Sequence, residues 1–338
     1  MSINKYSIIL SPITAGSTYL KNRMIHPNAS PHFLQGPEEY PADAYIAHYS
    51  GIARSGAAIV TMAEWDNWPE QRTAPAPTPD FVHMQAFNVK SGGVQNYICA
   101  MLEDIHFYGS KALIALEPQV KRDKQASHPA GAQVPGFDDI PDLSKGLSHA
   151  PKRRIIAMTP AQEEESINEF IDKIAFYHDL GYDGISVRVD KFIRKASNPE
   201  RTLEQRCAFF VNALKRAREV FGKHFIIDLT VQGQEPLGYD GRIAPGEGYS
   251  VEDMISVCRM VEGTVDIITL RGKDVAAAHP LPCHFKKGCQ ETLEYARALK
   301  NAGIRAIVAV NGGYQDPDDI ERELEAGTFD MVDRKSVV

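Results

Sequence analysis

Short apolar, β-branched runs alternate along this chain with longer stretches whose apolar residues recur every three or four positions. The short runs are Arg23 to Asn28 (RMIHPN), Ala57 to Met62 (AAIVTM), Lys111 to Glu117 (KALIALE), Gly184 to Arg188 (GISVR), Phe225 to Thr230 (FIIDLT), Val265 to Leu270 (VDIITL), Arg305 to Val310 (RAIVAV) and a cut-off last one, Phe329 to Val332 (FDMV). Each is bounded by Gly, Asp or Pro and is apolar on both sides, as parallel strands covered on both faces are. The helical stretches are Pro41 to Arg54, Gln95 to Tyr108, Pro160 to Leu180, Leu203 to Phe221, Val251 to Glu262, Cys289 to Ala302 and Asp318 to Ala326. Thr159-Pro160 starts the third and Gly181 stops it; Asp316-Pro317 and Gly327 bracket the last.

Eight strands alternating with seven helices predict a (β/α)8 TIM barrel, C-terminally truncated near strand 8. An open doubly wound sheet is the alternative, but it needs a glycine-rich first turn, and no GxGxxG is present. One domain is expected over residues 1–332, with insertions at 65–93 and 118–158. Segments that long after strands lie over the C-terminal face of a barrel, and the second is a candidate lid.

Composition narrows the function classes. The chain has 338 residues, 43% hydrophobic and 24% charged, with a net charge of -7, so it is globular and has no basic field for nucleic acid. No apolar run reaches the roughly 20 residues that span a bilayer, and the N-terminus lacks a signal pattern, so a cytoplasmic protein off the membrane is expected. The five cysteines show no Cys-x-x-Cys spacing, and Cys283 and Cys289 with His279 and His284 are read as loop residues rather than a metal site. A small-molecule substrate is the expected partner, with a homo-oligomer left open.

The fourth run ends in charge: GISVRVDKF places Arg188, Asp190 and Lys191 where a buried strand would stay apolar. In a barrel that is where a strand delivers side chains to the mouth. His26 and His48 read as packed histidines, His32 as a weak candidate acid on a loop, Tyr314 as packing, and Trp65 and Trp68 as packing of the first insertion.

Five segments in order, LKNRMIHPNAS, PADAYIAHYSGIARSGAAIVTMAEW, LGYDGISV, NPERTLEQRCAFF and VNGGYQDPDDIERELEAGTFDMV, resemble the Old Yellow Enzyme family. The closest flavour is the NADH:flavin oxidoreductase and 2,4-dienoyl-CoA reductase branch, and the resemblance covers most of the chain. It implies a barrel holding FMN at the strand C-termini, taking hydride from NAD(P)H and passing it to an activated C=C bond. It places Pro27, Asn28, Ala29 and Ala63 against the flavin and presents the Asn311-Gly312-Gly313 turn to the FMN phosphate, a sound anion site on general grounds. FAD and an iron-sulfur cluster would belong to a further C-terminal part.

The chain departs from the family pattern at the chemistry. Where the resemblance calls for a Gln at the end of the third strand, this chain offers Leu116 or Glu117; where it calls for a basic residue on the fifth, it offers Asp228. A carboxylate beside an anionic reduced ring is electrostatically unfavourable. Arg188 and Lys191 stand where the family has a substrate-gripping His and a second His or Asn. In one reading the mouth has filled with ion pairs, Arg188 with Asp228 and Lys191 with Glu117, in a barrel without flavin. In the other, Arg188 or Lys191 holds a carboxylate or enolate while Glu117 or Asp228 moves a proton, so that an isomerase, a lyase or a non-catalytic partner subunit stands beside the ene-reductase. Residues 333–338 (DRKSVV) can be back-translated into a common sequencing-adapter sequence and are expected to be an artefactual tail.

Overall fold

The computed structural model describes residues 5–28, 40–63, 87–120, 158–195, 198–234, 248–272, 286–314 and 316–333. An antiparallel hairpin, β1 (Ile13–Ala15) and β2 (Thr18–Leu20), precedes a closed parallel barrel. The barrel strands are β3 (Met24–His26), β4 (Ile59–Met62), β5 (Lys111–Ala115), β6 (Gly184–Arg188), β7 (Ile226–Gln232), β8 (Ile267–Arg271), β9 (Ile307–Asn311) and β10 (Met331–Asp333). β10 closes the ring, pairing Met331 with Ala309 on one side and Val332 with Met24 on the other. Asp333, the first residue of the expected tail, is buried in β10 opposite Ile25.

Helices α1 (Asp43–Arg54), α2 (Gly92–Phe107), α3 (Pro160–Leu180), α4 (Asp190–Ile193), α5 (Leu203–Phe221), α6 (Val251–Met260), α7 (Lys286–Asn301) and α8 (Pro317–Glu325) connect the strands. Capping boxes at Thr159, Thr202 and Ser250 start α3, α5 and α6 by satisfying the first backbone N–H groups. Gly181 stops α3 in the left-handed region at φ 109°. Among the described residues no helix is long and apolar enough to cross a membrane.

Two cores follow from the alternation of the strands. Outward positions such as Ile185, Val187, Ile227, Leu229 and Ile268 pack beneath the helices. Inward positions at the lower end, Ile25, Ile59, Leu113, Ile226, Ile267 and Met331, form a second cluster that Ala15 and Leu20 of the hairpin close from below. Higher up, the inward positions become polar: Thr61, Ser186, Asp228, Thr230 and Thr269 are all buried. The expectation of strands apolar on both faces therefore holds only for the outer face and the lowest inner layer.

The strand ends also differ. The sequence ends the fifth, sixth and seventh runs at Thr230, Leu270 and Val310, whereas the ladder continues through Gln232 opposite Arg271 and Arg271 opposite Asn311. The residues that end these three strands, Gln232, Arg271 and Asn311, are polar and continue the inward side of the pleat.

Gly184 opens β6 against β7: a Cβ built there would collide with the Ile226 backbone carbonyl. Gly184→Ala is expected to destabilise the fold by about 1–3 kcal/mol, as overpacking does, and to lower the denaturant midpoint at an unchanged slope.

Candidate functional site

The mouth is organised by Asp190. β6 ends in Arg188, and after Val189 the chain turns into α4, which sets Asp190 and Lys191 on its first turn at the rim. The Asp190 side chain is only 2% exposed. Its Oδ1 accepts from the Gln232 backbone N–H at 2.9 Å and from the Tyr249 hydroxyl at 2.8 Å. Its Oδ2 accepts from Arg188 Nε at 2.8 Å and from Arg271 Nη2 at 2.9 Å. Burial pushes this carboxyl up, but the Arg271 and Arg188 guanidiniums and the Gln232 N–H outweigh it and hold Asp190 below its ordinary value. It is therefore a buried carboxylate at neutral pH, and it orients two cations.

Lys191 Nζ lies 2.5 Å from Glu117 Oε2, so one of the two expected ion pairs is present. The other is corrected: Arg188 pairs with Asp190, not Asp228. In the β6–β7 register Asp228 lies opposite Ser186, two residues beneath Arg188, inside the barrel rather than at its rim. Its carboxylate accepts from the hydroxyls of Ser186 at 2.6 Å, Thr269 at 2.7 Å and Thr230 at 3.3 Å. Burial raises its pKa to about 6, with the hydroxyl hydrogen bonds working in the opposite direction. Leu116 turns outward into the core, which leaves Glu117 as the residue that β5 sends to the mouth.

The rim next to Arg271 is built from small residues. Asn311 ends β9, and Gly312 and Gly313 follow at φ 105° and 81°, a left-handed pair that L side chains rarely adopt. A Cβ on Gly312 would meet nothing within 4 Å, so it is the conformation and not crowding that calls for glycine. The turn leads to Asp316, whose side chain accepts from the Asp318 N–H at 2.9 Å and caps α8. Ala63 is buried just beyond β4; beyond β3, Pro27 is buried and Asn28 exposed.

Ala29, His32, Trp65, Trp68, His279, Cys283 and His284 lie outside the described residues, as does the side chain of Cys289. Among the described residues no group of His, Cys, Asp and Glu could hold a metal ion. His26 packs edge-on to Tyr49 at 6.4 Å and His48 at 6.2 Å, and Tyr314 packs on Phe329 at 5.5 Å, the packing roles expected of them. Arg271, Gln232 and Tyr249 escape the sequence reading. Thr230/Gln232 and Thr269/Arg271 are pairs at i, i+2, and this alternation is the signal that could have found two of the three.

Asp190→Ala removes the acceptor that two guanidiniums, a hydroxyl and a buried N–H share. The expected cost is about 3–5 kcal/mol by equilibrium denaturation, as for one partner removed from a buried pair. Asp228 behaves in the opposite sense. Because its folded pKa of about 6 lies above the ordinary 3.8, its contribution to stability is fully present below the ordinary value and is lost as pH rises through about 6. Asp228→Asn should flatten the pH dependence of stability across that window, measured as denaturant midpoints on both sides of it.

No protein-family model and no curated protein sequence matches the chain. Solved structures do. A 2-naphthoyl-CoA reductase complex with 2-naphthoyl-CoA is similar at 17% identity and a TM-score of 0.68, covering 97% of this chain and 50% of that one. Histamine dehydrogenase from Rhizobium sp. 4-9 is similar at 17% identity and a TM-score of 0.69, covering 98% and 46%. The old yellow enzyme from Trypanosoma cruzi is similar at 16% identity and a TM-score of 0.61, covering 97% and 88%. The chain thus spans about half the length of the first two. At these identities the likeness establishes the fold, a (β/α)8 TIM barrel of the architecture these three proteins share.

Proposed function

We propose that the chain is the flavin barrel of an FMN-dependent, NAD(P)H-linked oxidoreductase of the ene-reductase kind. The observation that carries this reading is the division of the mouth into a cationic side, with Arg188, Lys191 and Arg271, and an open glycine turn at Gly312-Gly313 on the same strand-end rim. The reductase, the dehydrogenase and the old yellow enzyme that share the fold support it, as does the resemblance in the sequence.

The described residues fit FMN. Backbone N–H groups at Gly312 and Gly313, with Asn311 beside them, suit a dianionic phosphate. Pro27 and Ala63 are small enough for a flat ring to approach the backbone. The objection raised by Asp228 falls away, because its carboxylate is enclosed by hydroxyls beneath the rim. Arg271, one strand further on, supplies a cation at rim height, and Gln232 opposite it supplies an amide. Glu117 is neutralised by Lys191, and Asp190 by the two arginines. Among the described residues this rim thus holds Arg188, Lys191 and Arg271 together with Asp190 and Glu117, each carboxylate paired with at least one cation.

When bound, FMN would supply hydride transfer from a reduced nicotinamide to an activated C=C bond. The chain's own part is to hold and orient: Arg188 and Lys191 donate hydrogen bonds to a substrate oxygen from the places where the resemblance has neutral donors. Asp228, 5% exposed and enclosed by hydroxyls, is given no step in this reading.

A visible spectrum of the purified protein tests the reading. A bound-flavin band that bleaches anaerobically on addition of NADH or NADPH is the expected outcome. A colourless protein that takes up no added FMN refutes it.

A further inference from the structure

We propose that Asp228 is a proton site linked to the mouth: an anion seated on the rim loads a proton onto its carboxyl, and rising pH weakens the anion's hold. This rests on the flavin reading only for the identity of the natural anion, FMN. The linkage itself needs no flavin.

Asp228 differs from the other carboxylates of the mouth in its partners. Asp190 has two guanidiniums and Glu117 an ammonium. Asp228 has the hydroxyls of Ser186, Thr269 and Thr230 and the Thr269 backbone N–H, and no cation is among them. Such donors restore only part of what a carboxylate loses on leaving water, so its ionised and neutral forms come close in free energy. Its pKa of about 6 agrees. The enclosure suits either form, because Ser186 Oγ also lies 3.0 Å from Thr230 Oγ1, and a hydroxyl turned away by the protonated carboxyl has a neighbour to bond.

The charged groups around it are held by one another. β6 and β8 flank its strand and end in Arg188 and Arg271, both bound to Asp190. Asp190 in turn accepts from the Gln232 N–H, further up the strand of Asp228. Lys191 pairs with Glu117 at the rim, and Asp333 shares the inner face of β10 with Met331. The arginines keep their charge near neutral pH, and they hold Asp190 below its ordinary value.

An anion on the Gly312-Gly313 turn would bring negative charge above this carboxyl. Gln232, Arg271 and Asn311 lie side by side on neighbouring strands, which puts the turn two strands across from Asp228 and higher up, roughly 16 Å away. Each unit of charge at that range changes a protonation equilibrium by about fivefold at an effective dielectric of ~20, before solvent screening. Negative charge favours the neutral acid, so the pKa of Asp228 rises above about 6 and a proton is taken up. The coupling is reciprocal: anion affinity is full below about pH 6 and falls as pH rises through that value.

Calorimetric titration of the full chain with sulfate, fully ionised throughout this window, tests the inference. At about pH 6.5, in two buffers of unlike ionisation enthalpy, the difference in heat counts protons; the wild type is expected to take up about half a proton per sulfate and Asp228→Asn none. FMN is titrated alongside. The affinity of Asp228→Asn for FMN, relative to wild type, is expected to rise about fivefold between about pH 5 and pH 8, a ratio in which the titration of the FMN phosphate cancels. Circular dichroism checks the fold of the variant, and if it does not fold the wild-type proton count decides. Sulfate binding without proton uptake, uptake that survives Asp228→Asn, an FMN ratio flat with pH, or no heat with either anion would each overturn the linkage. A chain that takes up sulfate with its proton but no FMN defeats the flavin reading alone. One that binds FMN with a flat ratio defeats the linkage alone.

Discussion

The upper rim of the barrel depends on one buried carboxylate. Parallel ladders run out at the strand ends, where backbone groups lose their neighbours and side chains fan apart. Asp190 gathers what would be left over: the Gln232 N–H from β7, the Tyr249 hydroxyl ahead of α6, and the guanidiniums that end β6 and β8. A carboxylate taken out of water is strongly disfavoured unless its lone pairs are filled, and here four donors fill them. The same bonds that make Asp190 tolerable inside the protein fix the geometry of the cations outside it. Stability and site geometry thus share one group.

Below that rim the barrel interior grades from apolar to polar to charged. The hairpin residues Ala15 and Leu20 seal a lower layer of Ile, Leu and Met. Above it Ser186, Thr230 and Thr269 surround Asp228 with hydroxyls. Hydroxyls are weaker partners than cations, which is why burial raises the pKa of Asp228 while Asp190, equally enclosed but doubly paired with arginine, moves the other way. Two buried aspartates thus have pKa values shifted in opposite directions because their donors differ.

The sequence shows the architecture well and the site in part. Bounds of β6, α3 and α5 agree residue for residue with the sequence pattern, because Gly181 and the Thr159 and Thr202 caps are local signals for local events. The hairpin Ile13–Ala15 and Thr18–Leu20 is not legible: its strands are three residues each, too short for a period to emerge. Arg188 and Lys191 are legible because charge interrupts an apolar run. Arg271 is not, since a strand that ends on an inward polar residue resembles one that ended a residue sooner. The role of Asp190 is out of local reach altogether, for its partners at Gln232 and Arg271 lie 42 and 81 residues away.

The pairing of Arg188 with Asp228, which the sequence suggests, fails for a reason of height. Charged residues near strand ends read from a sequence as one ring, but adjacent strands in a barrel are staggered, and the register sets Asp228 opposite Ser186 and Arg188 opposite Thr230. One pleat of separation leaves Asp228 among hydroxyls and sends Arg188 upward to the carboxylate that α4 brings back over the mouth. Because Asp228 stands beneath, Arg188 and Arg271 share Asp190 at the rim, and these side chains are already held in position before a ligand arrives from solvent.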